Sequence, residues 1–136
     1  MTLKLYFKIE YQTIFLGQST VGKTSLLGKY LNNANIGSAI TSVGVEFYSK
    51  HYKINNKKLK VTYTDTAGQE RFDAINKNYI SKADGIFLVY DISNSDTFVK
   101  INKWTKEISN ATKDAQIVLL GNKCDLKDEF RQVNYK

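Results

Sequence analysis

The chain has 136 residues, 24% charged and 42% apolar, with a formal net charge of +7. That length accommodates one domain, taken as residues 1–136, with a sizeable core. No run approaches the roughly 18 apolar residues of a membrane helix, and a single cysteine, Cys124, excludes an internal disulfide and fits a reducing compartment. The first residues, Met1 to Lys8, carry no long apolar stretch and no small-residue cleavage site, which argues against secretion.

Almost all of the positive charge is lysine, because Arg71 and Arg131 are the only arginines. Without an arginine cluster or interleaved aromatic patch, nucleic acid is not the expected partner. A basic balance of this kind reads first as a solvated lysine surface, and after that as an attraction to anionic membrane surfaces.

Ile9 to Leu16 reads as a strand entering the loop Gly17-Gln18-Ser19-Thr20-Val21-Gly22-Lys23-Thr24. Thr24 to Leu31 reads as the helix leaving it, with Leu26, Leu27, Tyr30 and Leu31 as an apolar stripe. Asn32 to Ser42 is small and polar, so a mobile loop is expected. Val43–Ile54 and Lys58–Thr64 flank the turn-type break Asn55-Asn56-Lys57, which predicts an antiparallel hairpin. Gly85–Tyr90 and Gln116–Leu120 are short, nearly all-apolar strands of the kind buried in a parallel sheet. Asp96–Ala111 carries Phe98, Ile101, Trp104, Thr105 and Ile108 at helical spacing, with Ser95 or Asp96 as its cap and Lys103 a turn from Glu107. Trp104 is expected to pack in the core, and Cys124 to be a packed small hydrophobe. The alternation predicts an α/β fold, a doubly wound and mostly parallel sheet with one antiparallel hairpin. Ligands would sit at the carboxyl ends of its strands.

Three segments carry the chemistry. The first, Gly17 to Thr24, fits G-x-x-x-x-G-K-[ST], whose backbone N–H groups cradle nucleotide phosphates. Glycines let the backbone approach the anion, Lys23 offers charge to the β- and γ-phosphates, and the Thr24 hydroxyl suits Mg²⁺. The second is Asp65-Thr66-Ala67-Gly68-Gln69. Here Asp65 reaches the metal, Gly68 offers an N–H to the γ-phosphate, and Gln69 orients the attacking water as the catalytic residue. The third is Asn122-Lys123-Cys124-Asp125. Asp125 can accept from the guanine N1–H and exocyclic amine, which adenine lacks. Asn122 can meet the guanine carbonyl, and the Lys123 stem can lie over the ring.

With these residues in place, the chain from about Phe7 onward resembles a small Ras-superfamily GTPase of the Rab branch. Val43-Gly44-Val45-Glu46-Phe47, Asp65-Thr66-Ala67-Gly68-Gln69-Glu70-Arg71-Phe72, Tyr79-Ile80-Ser81-Lys82-Ala83 and Val89-Tyr90-Asp91-Ile92 are similar to that branch's signature stretches. Phe15-Leu16-Gly17 leading into Val21-Gly22-Lys23-Thr24-Ser25-Leu26 resembles its Golgi-trafficking members. The resemblance implies a P-loop small G-domain that binds GTP or GDP with Mg²⁺, hydrolyses GTP slowly and switches vesicle traffic. Its nucleotide residues would be Gly17, Ser19, Thr20, Val21, Gly22, Lys23, Thr24, Ser25, Ser42, Asp65, Gly68, Asn122, Lys123 and Asp125, with Thr24, Ser42 and Asp65 at the metal. Implied partners are effectors, exchange factors and GTPase-activating proteins, through Asn32–Phe47 and Gln69–Tyr79. The implied state is a cytoplasmic monomer, peripheral on Golgi or other endomembranes only through a lipidated tail outside this chain.

Four departures mark it. Ser42, beside Thr41, stands where the family places a metal-ligating threonine. Asn35 replaces an aromatic at the guanine edge. Thr64 replaces a tryptophan that would join Phe47 and Tyr79 in an effector-facing triad. The sequence ends at Lys136, ahead of the family's last strand, S-A-K loop and last helix. The expectation is therefore a domain incomplete at its C-terminus, weak in GTPase activity and aggregation-prone. The alternative is a nucleotide-poor interaction module that binds partners without cycling.

Overall fold

A computed structural model describes residues 9–31, 37–38, 45–66 and 73–135. Its elements run β1 (Ile9–Leu16), α1 (Lys23–Leu31), β2 (Gly37–Ser38), β3 (Glu46–Ile54), β4 (Lys57–Asp65), α2 (Asp73–Lys82) and β5 (Gly85–Asp91). There follow α3 (Ser95–Val99), α4 (Ile101–Ala111), β6 (Gln116–Asn122) and a 3₁₀ turn at Asp128–Phe130. The six strands form one sheet in the order β2-β3-β4-β1-β5-β6. β1 pairs in parallel with β4 and β5, and β5 with β6, while β3 is antiparallel to both β2 and β4. The expected α/β sheet with its hairpin is thus present, and the short strand β2 adds a second antiparallel pairing inside the stretch read as a loop. The rest of that stretch lies outside the described residues.

Strand alternation divides the core in two. Phe15, Tyr63 and Val89 face α1, where they pack with Val21, Leu27 and Leu31. Ile14, Leu16, Ile86 and Leu88 face the other way, onto Ile80 of α2 and Ile101, Trp104 and Ile108 of α4. Trp104 is the core residue its spacing implied. Each layer buries against β1 and β5, so β5 reads as an almost continuous apolar run and β1 turns apolar over its buried end, Ile14-Phe15-Leu16.

Two local readings need correction. The predicted helix Asp96–Ala111 is two helices meeting at Lys100. The Lys103 N–H reaches the Lys100 carbonyl at 3.0 Å while that of Trp104 lies 3.5 Å from it, a tightened i→i−3 junction that apolar spacing does not encode. Phe98 is consequently half-exposed and stacks edge-on against Tyr90 instead of continuing the buried stripe. The cap is neither Ser95 nor Asp96 but Asn94, whose Oδ1 accepts from the Asp96 N–H at 3.1 Å. The helix Asp73–Lys82 carried no periodic signal strong enough to be predicted.

On the far flank β6 pairs only with β5 among the described residues, and Ile117, Val118 and Leu119 are each about half exposed.

The cap carries a checkable consequence. Asn94→Ala removes the acceptor for the Asp96 N–H in the first turn of α3 and should lower unfolding free energy by about 1 kcal/mol. Urea denaturation of the two chains would read this as a lower midpoint at unchanged slope.

Candidate functional site: a phosphate loop and a base loop on one sheet edge

β1, β4 and β6 deliver the three sequence segments to the same edge of the sheet, where each strand ends. After Leu16 the chain turns through Gly17 (φ 146°), Thr20 (φ 69°) and Gly22 (φ 93°) before α1 begins at Lys23. A Cβ at Gly17 would lie 2.2 Å from the Val89 carbonyl oxygen, so that position admits no side chain. The loop therefore hugs the end of β5 and leads directly into the N-terminus of α1, a position that favours an anion.

Lys23 is buried, and its Nζ donates to the carbonyls of Gly17 at 2.7 Å and Gln18 at 2.8 Å. These contacts hold the ammonium across the mouth of the loop. The Thr24 hydroxyl, next along α1, donates to Asp65 Oδ2 at 2.6 Å. Asp65 ends β4 and is buried, and the neighbouring Thr66 hydroxyl donates to the Phe15 carbonyl at 2.8 Å, tying β4 to β1 at this point.

This pair suits a hard cation. A hydroxyl and a carboxylate oxygen already meet there, and no cluster of three or more His, Cys, Asp or Glu stands ready among the described residues. Such a site resembles the Mg²⁺ pattern of few protein oxygens completed by phosphate and water.

The base loop follows β6. Asn122 closes it against the phosphate loop, its Nδ2 donating to the Val21 carbonyl at 2.8 Å across 101 residues of sequence. Lys123 stands at φ 69°, and its ammonium pairs with Asp91 Oδ2 at 2.6 Å. Asp91, buried at the end of β5, also accepts from the Ser93 N–H at 2.8 Å and the Ser93 hydroxyl at 2.6 Å through Oδ1. Burial pushes the Asp91 carboxyl up, but the bonds from Lys123 and Ser93 outweigh it and hold the group below the usual carboxylate value. Sequence reasoning quoted Asp91 without giving it a role. Its signal was an acidic residue ending an otherwise apolar strand.

Asp125 is exposed beyond Lys123, its carboxylate unengaged among the described residues. Cys124 is exposed too, its thiol donating to the Gly121 carbonyl at 3.2 Å, so the packed-core expectation for it was wrong. Gly17, Ser19, Thr20, Val21, Gly22, Lys23, Thr24, Ser25, Asp65, Asn122, Lys123 and Asp125 all lie on this sheet edge or the helix leaving it. Ser42, Gly68 and Gln69 lie outside the described residues.

The doubly wound sheet and the Gly17–Thr24 loop together define a P-loop α/β domain. The Ras family model matches residues 12–136. Among similar proteins, the chain is 39% identical over 127 residues to Ras-related protein Rab-10 of Diplobatis ommata, covering 93% of this chain and 64% of that one. It is 40% identical over 131 residues to Ras-related protein Rab-11B of Dictyostelium discoideum, covering 93% and 59%. To Ras-related protein Rab-3D of Homo sapiens it is 38% identical over 124 residues, covering 90% and 57%. The chain belongs to the Ras family, and within it resembles the Rab branch. It spans less than two thirds of the length of these relatives.

The Asp91–Lys123 pair makes stability depend on acid. A carboxyl held below its unfolded value of about 3.9 contributes fully above that value and loses its contribution as pH falls through the folded one. Asp91→Asn should cost about 1.5–3 kcal/mol at neutral pH. It should also flatten the loss of stability between roughly pH 5 and pH 2, which chemical denaturation across that range would measure.

Proposed function

We propose that this chain is a guanine-nucleotide switch that binds GTP and GDP, hydrolyses GTP slowly and regulates vesicle traffic. The observation carrying this reading is the joining of phosphate loop and base loop through the Asn122–Val21 hydrogen bond. Two segments far apart in sequence form one contiguous edge, as a ligand with phosphates at one end and a base at the other requires.

In this reading the loop of Gly17, Ser19, Thr20, Val21 and Gly22 wraps the phosphates with backbone N–H groups. Lys23 gives up its carbonyl contacts for the β- and γ-oxygens at little cost, because it is held in place already. Thr24, with Ser25 beside it, starts the helix whose N-terminus faces the same anion. Mg²⁺ held by Thr24, Asp65 and Ser42 would neutralise phosphate charge. Gly68 donates an N–H to the γ-phosphate, and Gln69 orients the attacking water. Asp125 accepts from the guanine N1–H and amine. Lys123, anchored by Asp91, lays its aliphatic stem along the ring.

Partner recognition falls to the neighbouring face. Phe47 and Tyr79 are in ring contact, with centroids 5.5 Å apart, and Phe47 sits opposite Thr64 in the β3–β4 register. This aromatic pair supports effector, exchange-factor and activating proteins as partners, binding through Asn32–Phe47 and Gln69–Tyr79. The proposed setting is the cytoplasm and the endomembrane surface.

The experiment is nucleotide binding and turnover by the purified chain. Asp125→Asn exchanges a pure acceptor for an amide and should move preference from GDP towards XDP; an unchanged ratio of the two affinities removes Asp125 from the base pocket. Gln69→Leu should keep GTP binding near normal and slow single-turnover hydrolysis by roughly tenfold or more. Lys23→Asn should weaken binding itself, because it removes charge from both the ground and transition states.

A further inference from the structure

The β3–β4 hairpin reaches away from the nucleotide edge to the opposite end of the molecule. From Phe47 to Thr64 it contains no Asp or Glu, yet it carries Lys50, His51, Lys53, Lys57, Lys58 and Lys60. The pairing register places Lys53 directly opposite Lys58 and His51 directly opposite Lys60. Directly opposed residues share a face, and so do residues two apart along a strand, so these four form one basic block on a single face. Lys60 meets Glu10 of β1 at 3.8 Å. Lys53, Lys57 and Lys58 are exposed and make no ion pair among the described residues.

Opposed like charges cost stability in a hairpin. Here that cost is concentrated at a tip closed by Asn55 and Asn56, both with positive φ (48° and 62°), a tight two-residue turn. The side chain leading into the turn is apolar: Ile54, 55% exposed, pairs with Lys57 on the face opposite Lys53 and Lys58, so the tip carries lysine on both faces with Ile54 at its end. Tyr11, on the neighbouring β1, is exposed as well.

We propose that the β3–β4 tip is a docking surface for anionic phospholipid, with the lysines against the headgroups and Ile54 in the interfacial layer. Three features favour lipid over other anions. The cations are lysines, diffuse point charges suited to a fluid anionic surface, whereas nucleic acid and phosphopeptides are read by bidentate arginine. The projecting side chain is an aliphatic residue beside cations, the arrangement of interfacial anchors, and not an aromatic platform for bases. The tip lies about 27 Å from Asp65 along β4, at roughly 3.4 Å per residue, so a docked hairpin leaves the nucleotide edge facing away from the membrane. This contact is independent of any lipidated tail and of the nucleotide reading.

The test is flotation of the full chain with phosphatidylcholine vesicles, either pure or carrying about one third phosphatidylserine. Binding is expected only with the anionic lipid and should weaken steeply with salt. Lys53→Gln with Lys58→Gln should lower partitioning about 20- to 30-fold. Lys106→Gln with Lys113→Gln, an equal charge change at exposed positions on and just after α4, should lower it by less than about threefold. Ile54→Trp supplies a second readout, an emission shift to the blue with anionic vesicles alone. Equal losses from the two lysine pairs would assign the effect to net charge and overturn the proposal. So would absence of binding to the anionic vesicles, an unshifted Trp emission, or tighter hairpin-dependent binding of duplex DNA or polyglutamate than of the vesicles. Thermal melts of each variant with the parent confirm that the exposed substitutions leave the fold intact.

Discussion

The Asn122 amide bonded to the Val21 carbonyl is the contact on which the site depends. One loop leaves β1 and the other leaves β6, with β5 lying between those strands in the sheet. Neither loop has a regular ladder to hold it past its strand end. A single side-chain hydrogen bond sets their spacing, and β5 supports both from beneath. Its Val89 carbonyl abuts Gly17, and its Asp91 carboxylate holds Lys123. The middle strand contributes no motif of its own, yet it fixes the geometry of the two motifs beside it. A cavity or slip in β5 would therefore disturb both loops together.

Much of this was legible in the sequence because the signals are local. β1 spans Ile9–Leu16 as expected, β4, β5 and β6 run one or two residues past their expected ends, and β3 begins at Glu46, inside the expected Val43–Ile54. The phosphate loop was legible because glycine at fixed spacing before Lys23 has a steric reason, realised in the 2.2 Å approach to Val89. What escaped depends on which hydrogen bonds form, near or far in sequence, and residue type alone does not encode that. Asp91 gains its role only when Lys123 folds back onto it, and Asn94 becomes a cap only when Asp96 turns its N–H towards it. The break at Lys100 is likewise a hydrogen-bond shift inside an unbroken apolar periodicity. Cys124 was misplaced because its residue type favours burial, whereas a loop at a ligand edge leaves it exposed.

Charge is distributed along the same axis as the strands. The sheet edge that carries the two loops gathers Asp65, Asp91 and Asp125 around Lys23 and Lys123, so acids and bases are interleaved there. The hairpin tip has lysines with no acid between Phe47 and Thr64. The net charge of +7 is thus not evenly scattered, because Lys53, Lys57 and Lys58 gather at the hairpin tip, at the other end of β4 from Asp65. Long-range attraction to an anionic surface would orient the molecule before contact, at a rate that falls with ionic strength.

Between these ends runs a chain of phenols. Tyr30 of α1 meets the Tyr52 hydroxyl at 2.5 Å, and Tyr52 meets the Tyr63 hydroxyl at 2.6 Å, with the Lys50 ammonium 4.4 Å from the Tyr30 ring centroid. Hydrogen bonding from Tyr52 outweighs the effect of burial to lower the Tyr30 hydroxyl, whereas burial first and the same network second raise that of Tyr63. Of the three hydroxyls only that of Tyr30 is lowered, while those of Tyr52 and Tyr63 are raised. Together they pass one set of hydrogen bonds from α1 to β3 and β4. The helix that presents Lys23 and Thr24 is bolted to the hairpin by polar contacts as well as by the apolar layer beneath it. An isolated two-stranded hairpin is marginal in water, and this one carries opposed like charges as well. The phenol chain, together with the β1–β4 ladder, is what keeps so basic a tip in register.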